Sequence, residues 1–271
     1  MLRYSVEFML VIFSYLLPYL IVALLGLSMG SFLNSWIWRT HANCRIVVGR
    51  SMCPHCARQL TWYENIPVFS YICLGGQCAT CKKDIPWYYT AVEFFTMVLF
   101  IFVFWYHTNF LVFDIWHYLQ DIVFIIFLEI IFIYDGLYKS VLTGVVVAAT
   151  VIGFLSNWIY FDFSLYRLFL GGLFGWAFFA VQYFYSRGRW IGDGDILIGL
   201  MMGVWLGWPV VLVGLFSAYV FGAVFGLLMF LFGKKKWQSE IPFGTFLALG
   251  TFLALYWGPA IIAWYVHLIR G

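Results

Sequence analysis

Long apolar runs, interrupted by few charges, constrain this chain more than any other feature of its sequence. A membrane-spanning helix needs about 20 mostly apolar residues, and the 271-residue chain holds eight candidate segments. They are residues 8–36, 90–106, 111–134, 141–161, 165–185, 194–207, 210–232 and 243–268. Only 10% of the residues are charged, against about 25% in soluble domains. The sequence therefore predicts an all-α polytopic membrane protein, a bundle of about eight transmembrane helices.

The basic residues divide unevenly between the two ends of these helices. If the segments alternate in direction, twelve of the fifteen lysines and arginines fall on one side. The twelve are Arg39, Arg45, Arg50, Arg58, Lys82, Lys83, Lys139, Arg187, Arg189, Lys234, Lys235 and Lys236, and the other three are Arg3, Arg167 and Arg270. Connections rich in Lys and Arg stay in the cytoplasm, so we expect both termini to face outward. This topology accounts for the net charge of +3, and we expect no nucleic acid as a partner.

The chain is expected to have three parts. Residues 1–36 form a first transmembrane helix, 37–89 a cytoplasmic insertion rich in cysteine, and 90–271 the rest of the bundle with the active site. The first segment lacks a small-residue cleavage site and should remain as an anchor. Glycines at 171, 172 and 175, and at 222 and 226, have the small-residue spacing that lets membrane helices approach closely.

The insertion carries four cysteines in two C-x2-C pairs, Cys53 with Cys56 and Cys78 with Cys81. A unit of about 50 residues usually needs a metal or another cross-link, and two such pairs match a tetrahedral zinc site. Two disulfides or a thiol redox centre would use the same residues, but persistent disulfides are rare in the cytoplasm. The pattern favours a structural metal. Cys44 and Cys73 fall outside it and are expected to be ordinary buried thiols.

Four carboxylates lie along one face of the third predicted span, within an arc of about 120°. They are Asp114, Asp121, Glu129 and Asp135. Ionisable groups inside a bilayer are costly and indicate function by default. Asp114 lies near the outer end, where we expect solvent. Asp121 and Glu129 lie deeper and need a polar partner or water, in either a structural or a supporting catalytic role.

Asp135 ends the third span and Asp195 opens the sixth, so the topology brings both to the cytoplasmic membrane face. Two carboxylates that share a proton cannot both ionise easily, so one acts as a base toward water while the other polarises the scissile carbonyl. This pairing predicts peptide hydrolysis of the aspartic-protease kind. Helix ends favour Asp195, near an N-terminus, as the anion and Asp135, near a C-terminus, as the acid. Taken alone, the G-D-G-D stretch at 192–195 is also explained by an acidic helix N-cap.

Other functions account for only part of this pattern. A transporter would use the acidic face of the third span as a proton or cation relay, but it leaves the cysteine pairs without a role. A membrane thiol oxidoreductase would use the cysteines and leave the aspartates unexplained. A purely structural scaffold explains neither feature, whereas a peptidase with a metal-stabilised insertion uses both.

Several short motifs, in a fixed order along nearly the whole chain, carry a family resemblance. They are G-S-F-L-N at 30–34, G-R-S-M-C-P-H-C at 49–56, W-Y-E-N-I-P-V-F-S-Y at 62–71, C-A-T-C at 78–81, Val92-Glu93, Asp135, G-D-G-D at 192–195 and I-P-F-G at 241–244. On this topology the chain resembles the bacterial type IV prepilin leader peptidase/N-methyltransferase family, whose members are GxGD membrane aspartic peptidases.

The resemblance implies a site and a reaction. Asp135 and Asp195 match the catalytic positions, and Asp193 fills the variable position of the GxGD motif. The implied activity is cleavage of a basic leader from type IV prepilins or secretion pseudopilins at the cytoplasmic face of the bacterial inner membrane. Methylation of the new N-terminal residue by S-adenosylmethionine would follow. The methyl-donor site is not defined by the sequence; Glu64 is a weak candidate, with an equal structural alternative.

Three positions depart from the family pattern. Residues 139–144 read K-S-V-L-T-G where a Pro-Asp pair is usual, and Thr245 follows I-P-F-G in place of proline. Residues 88–90 read Y-Y-T where Arg-Tyr-Pro is usual. Because the missing arginine lies beside the cysteine insertion, the resemblance supports methylation less strongly than cleavage.

Overall fold

The computed structural model describes residues 2–44, 51–160, 164–232 and 242–270, with side chains from residue 16 onward. Its long helices account one for one for the eight predicted segments, and the all-α prediction is confirmed. The helices are α1 (Leu2–His41), α3 (Trp87–Asn109), α4 (Ile115–Tyr138), α5 (Thr143–Ile159), α6 (Leu165–Ser186), α7 (Asp193–Leu206), α8 (Val210–Leu231) and α9 (Phe243–Arg270), with a short 3₁₀ turn (Trp62–Asn65) and a short α2 (Phe69–Cys73) between α1 and α3.

Three sequence features fall outside the described residues. They are Gly49 and Arg50 of the second motif, the lysine run at 234–236, and Ile241 of I-P-F-G.

Five of the helices are individually long and apolar enough to cross a bilayer. They are the Leu16–His41 part of α1, together with α3, α6, α8 and α9. The chain is therefore a multi-pass membrane protein. At 14 residues, α7 is too short to span by itself, but nine of those residues are buried. A helix that is apolar and buried on most sides packs within a protein rather than against lipid.

The chain divides into two compact units, residues 1–122 and 123–271. In the first unit, α1 and α3 pack with their backbones nearly touching. A Cβ added to Gly26 would lie 2.7 Å from Met97 Cα, and one added to Gly30 would lie 2.7 Å from Glu93 Cα. The Asn34 side-chain amide then donates a hydrogen bond to the Tyr89 carbonyl, at 2.8 Å. The G-S-F-L-N motif thus joins the two helices beside the cysteine insertion.

Glycine contacts also bring together the helices of the second unit. A Cβ on Gly171 would lie 2.4 Å from the Gly203 carbonyl oxygen, and one on Gly175 would lie 2.0 Å from that of Gly199. The predicted close approach at α6 is confirmed, with α7 as the partner. On α8 the close approach is made at Gly214, whose carbonyl oxygen would lie 2.4 Å from a Cβ on Gly250 of α9.

At the predicted α8 position, Gly222, an added Cβ would meet Phe246 at an ordinary contact distance of 3.6 Å. The spacing of small residues could not show whether α8 makes its close contact at Gly214 or at Gly222. Small residues recur along α8, and the position of the partner helix decides which of them is in contact.

Trp205 fixes α7 against α4 and α5. Its ring stacks on Phe124 with centroids 3.6 Å apart, and its indole N–H donates to the Ala149 carbonyl at 2.8 Å. Gly153 makes room for the indole, since a Cβ there would lie 2.1 Å from the ring nitrogen. With no water in the hydrocarbon, this buried donor has to be satisfied by protein. The contacts define where the N-terminus of α7, and with it Asp195, lies relative to α4.

Candidate functional site

The tandem aspartates at the start of α7 have different environments. Asp195 is buried, and its Oδ2 accepts a hydrogen bond from the Gly192 N–H at 3.1 Å. Asp193 is exposed, and among the described residues its carboxylate accepts only from the neighbouring Gly194 N–H, at 3.0 Å. A Cβ on Gly194 would lie 2.6 Å from that of Val141 in the α4–α5 connection. The second glycine of the motif therefore lets this connection pack against the start of α7.

Asp135 is buried in the last turn of α4, against the first turn of α9. Its Oδ2 accepts a hydrogen bond from the Thr245 N–H at 3.0 Å. A Cβ on Gly244 would lie 2.9 Å from the same oxygen and 3.3 Å from Ile198 of α7. The glycine of I-P-F-G thus allows a carboxylate from one helix to cap another, with α7 directly alongside.

The structure brings the two predicted aspartates into one buried site within the second unit. Asp195 lies close enough to Asp135 for their charges to interact, and Asp193 adds a weaker interaction of the same sign. Within the described residues neither buried aspartate forms an ion pair with lysine or arginine. Two carboxylates that are shielded from water and interact through their charges do not both ionise easily.

The α9 terminus changes the assignment of roles within the pair. Sequence reasoning placed only Asp195 at a helix N-terminus, whereas Asp135 also accepts a hydrogen bond from the first turn of a helix. The partial positive charge of an N-terminus favours an anion at either position. Helix ends therefore do not decide which carboxylate carries the proton.

The remaining carboxylates of α4 have separate surroundings. Asp121 Oδ2 lies 2.9 Å from Nε2 of the buried His107 on α3, which gives this carboxylate a partner in the first unit. Asp114 pairs with His117, and its side chain is 41% exposed. Glu129 is buried in the second unit. Sequence reasoning missed His107, since a single histidine on an apolar helix carries no spacing signal.

The four predicted cysteine ligands converge in the first unit. The sulfur atoms of Cys53, Cys56, Cys78 and Cys81 all lie within 4.8 Å of one another. Zinc–sulfur bonds of about 2.3 Å in a tetrahedron require sulfurs about 3.8 Å apart, and Cys53 and Cys81 are 3.9 Å apart. Cys44 and Cys73 were expected to be buried, but both are exposed. That prediction was wrong because this small insertion has little interior beyond the cysteine cluster.

Each cysteine pair lies in the same kind of tight turn. The Cys53 N–H donates to the Arg58 carbonyl and the Cys78 N–H to the Lys83 carbonyl, at 3.0 and 2.9 Å. The residue after each second cysteine, Ala57 or Lys82, has a φ near +55°: 54° and 56°. Backbone N–H groups of Cys81 and Thr80 also lower the pKa of the Cys78 thiol. Two matching turns that present four thiols to one point fit a tetrahedral metal ion.

Glu64 stabilises the turn that carries Cys53 and Cys56. One carboxylate oxygen accepts from the Arg58 guanidinium at 2.6 Å, and the other accepts from both the backbone and the hydroxyl of Thr61, at 2.8 Å each. The Arg58 hydrogen bond is the main reason that the pKa of Glu64 falls to about 2. The side chain is 2% exposed. These contacts favour the structural alternative for Glu64 over direct contact with a methyl donor.

A cavity of about 180 Å³ lies within the first unit, where the end of α1 and the start of α3 meet the cysteine segment. Its lining includes both signs of charge, with Arg39 from α1 and Glu93 from α3. Asn34, Tyr71 and Cys78 add hydrogen-bonding and sulfur atoms. A concave site with a few convergent polar groups is typical of small-molecule binding.

Fold and site together define an all-helical, multi-pass membrane protein with a buried aspartate pair and a four-cysteine centre. Residues 24–107, which contain the cysteine segment and the cavity, match the model of the bacterial peptidase A24 N-terminal domain. The chain is also similar along its length to proteins named prepilin leader peptidase/N-methyltransferase. The resemblance indicated by the motifs is confirmed.

Three of these relatives illustrate the extent of the similarity. The Legionella pneumophila protein is 27% identical, over 92% of this chain and 94% of its own. The Pseudomonas aeruginosa protein is 28% identical, over 90% and 92%, and the Bacillus subtilis protein is 29% identical, over 93% and 99%. No solved structure matches the chain.

Proposed function

We propose that this protein removes the basic leader from type IV prepilins or secretion pseudopilins, using Asp135 and Asp195 as an acid–base pair. The convergence of these two buried carboxylates, from α4 and α7, is the observation that carries the proposal. The charge interaction between them favours a state in which one of the two is protonated. The relatives' shared name, prepilin leader peptidase/N-methyltransferase, supplies the substrate class.

In this mechanism the ionised member of the pair takes a proton from a water molecule as the water attacks the scissile carbonyl. The protonated member donates a hydrogen bond to the carbonyl oxygen and stabilises the charge that develops there. As the peptide bond breaks, a proton passes to the leaving amine, and the pair returns to its singly protonated state. The N–H groups of Gly192 and Thr245 hold the two carboxylates in place throughout.

We place the reaction at the cytoplasmic face of the bacterial inner membrane. The excess of lysine and arginine in alternate connections supports this orientation. Both aspartates lie at helix ends that the same topology assigns to the cytoplasm. A substrate could then leave its apolar helix in the bilayer while its basic leader stays in water, because moving that leader through hydrocarbon would be costly.

We further propose that the first unit methylates the newly exposed N-terminus, with S-adenosylmethionine as the donor. When bound, this cosubstrate supplies a methyl group attached to a positively charged sulfur. Arg39 gives the cavity in the first unit a partner for the carboxylate of this cosubstrate. The four cysteines would hold zinc, which fixes the two turns relative to each other and so shapes the cavity wall beside them.

Purified protein incubated with a prepilin, with and without S-adenosylmethionine, tests both activities when the products are weighed by mass spectrometry. Asp135→Asn and Asp195→Asn should each lower cleavage at least about 100-fold, since each removes one half of an acid–base pair. Asp193→Asn is the matched control, because Asp193 lies two residues away and is exposed, and it should cleave normally. Loss of cleavage in Asp193→Asn with full activity in Asp195→Asn would overturn the assignment.

A further inference from the structure

The loop that carries W-Y-E-N-I-P-V-F-S-Y bends sharply at Val68, which has φ 65° and ψ −52°. The Phe69 N–H donates to the Pro67 carbonyl at 2.7 Å, closing a three-residue γ-turn around it. A β-branched residue rarely adopts positive φ, and such a turn persists only where surrounding contacts enforce it. Something outside the turn must therefore hold it.

That contact is a carboxylate from a membrane helix. The Val68 N–H donates to Oε2 of Glu93, on α3, at 2.7 Å. The hydroxyl of Ser31, on α1, also hydrogen bonds to the Glu93 side chain. Gly30 brings α1 within reach, as a Cβ there would lie 2.7 Å from Glu93 Cα. One carboxylate thus ties α1, α3 and the strained turn together.

The turn directs the next residues into the wall of the cavity. Ser70 and Tyr71 follow it in α2, and both line the cavity, as do Glu93 and Ser31 themselves. If the turn relaxed toward ordinary backbone angles, the chain would leave Val68 in a different direction, and Ser70 and Tyr71 would move with it. The carboxylate that holds Val68 therefore also sets the shape of this wall.

We propose that Glu93 is a positioning residue for methyl transfer, which acts by holding the strained turn at Val68 and so fixing the wall formed by Ser70 and Tyr71. The inference rests on the proposed use of this cavity for S-adenosylmethionine. On this view the turn at Val68 depends on the hydrogen-bond acceptor of Glu93 and much less on its negative charge. A carboxylate acting directly on the sulfonium would have the opposite requirement.

Four variants of the full-length protein separate these roles in the prepilin assay. Glu93→Met removes the acceptor, and Glu93→Gln keeps an acceptor oxygen but loses the charge. Glu93→Met with Val68→Gly relieves the strain, since glycine adopts positive φ freely. Glu93→Met with Ile66→Gly is its matched control, because Ile66 is β-branched, lies in the same loop and has an ordinary φ of −69°.

We expect Glu93→Met to raise the KM for S-adenosylmethionine at least about tenfold while cleavage stays normal. Glu93→Gln should lose much less. Val68→Gly should recover at least about fivefold in the Glu93→Met background, and Ile66→Gly should recover nothing. If Glu93→Gln is as impaired as Glu93→Met and Val68→Gly gives no recovery, the carboxylate acts directly and the inference is wrong.

A second readout does not depend on methylation. Amide hydrogen exchange over residues 62–71 should quicken in Glu93→Met and slow again when Val68→Gly is added. Unchanged exchange in Glu93→Met would contradict the inference even if methylation is lost. A wild-type protein that cleaves but never methylates would refute the proposed methyl transfer, and the exchange data alone would then decide whether Glu93 holds the turn.

Discussion

The two units of this protein hold their carboxylates in different ways. In the first unit Glu64 is paired with the Arg58 guanidinium, and Glu93 ties a loop to two helices. In the second unit Asp135 and Asp195 accept hydrogen bonds from backbone N–H groups and are near enough for their charges to interact. A carboxylate beside a guanidinium stays ionised and fixed, as the pKa of about 2 for Glu64 indicates. Two carboxylates that share a site can instead exchange a proton.

We propose that this difference separates structural acids from catalytic ones. Glu64 and Glu93 in the first unit hold the cysteine segment and the cavity wall in place, while Asp135 and Asp195 in the second unit move protons during hydrolysis. Burial does not distinguish them, because Glu64, Asp135 and Asp195 are each less than 10% exposed. The identity of the hydrogen-bond partners does.

The largest effect is expected from Gly244→Ala, which should lower cleavage at least about 100-fold although no ionisable group is changed. The added Cβ would lie 2.9 Å from Asp135 Oδ2, so the carboxylate must leave its place beside Asp195. Gly222→Ala is the control, because its Cβ would meet Phe246 at an ordinary 3.6 Å. The prediction is tested by measuring the cleavage rates of both variants. Normal cleavage by Gly244→Ala would show that the position of Asp135 is not critical.

The metal centre can be tested through all six cysteines of the chain. In zinc-loaded protein, Cys44 and Cys73 should react with an alkylating reagent at least about tenfold faster than the four clustered thiols, because metal-bound thiolates are protected. A chelator should abolish the difference. Peptide mass spectrometry reports each site separately, and the two exposed thiols serve as internal standards. Equal rates before chelation would argue against a metal.

A smaller effect separates the two glycines that precede Asp195. Gly194→Ala should lower cleavage about tenfold or more, since its Cβ would lie 2.6 Å from that of Val141 and would push the α4–α5 connection away. Gly192→Ala has no contact nearer than 3.8 Å and should cleave almost normally. The comparison rests on initial cleavage rates at matched expression. Equal impairment would indicate that substrate access, rather than packing, requires both glycines.

The smallest effect is expected from Glu64→Gln, which should destabilise the cysteine segment by about 1 kcal/mol. The folded-state pKa is lowered from 4.5 to about 2, so the stability that ionisation adds is complete above pH 4.5 and is lost progressively as the pH falls from there through 2. The deficit should therefore be the same at pH 5.5 and pH 8, as measured by hydrogen exchange over residues 53–64. Asp84→Asn, at an exposed Gln77 contact, is the control. A deficit that changes between these pH values would contradict the ion-pair account.

Much of the fold could be predicted, because membrane-spanning helices are recognised in a sequence by their length and apolar content. The same holds for Asp135 and Asp195, which basic residues and topology place at one membrane face. The contribution of α9 could not be predicted, since no local pattern reveals that Gly244 and Thr245 lie against a carboxylate 110 residues away. The contact between Glu93 and Val68 could not be predicted for the same reason. The positive φ of Val68 could not be predicted either, because valine rarely adopts it.

We propose that the second unit performs hydrolysis and the first unit methyl transfer. The most direct test measures both activities for Asp195→Asn and Cys78→Ser, using an intact prepilin and a peptide that already begins at the mature N-terminus. Asp195→Asn should fail to cleave the prepilin yet methylate the mature peptide, whereas Cys78→Ser should cleave the prepilin yet methylate neither. If a folded Asp195→Asn cannot methylate the mature peptide, or Cys78→Ser loses cleavage as completely as methylation, the two chemistries are not divided in this way.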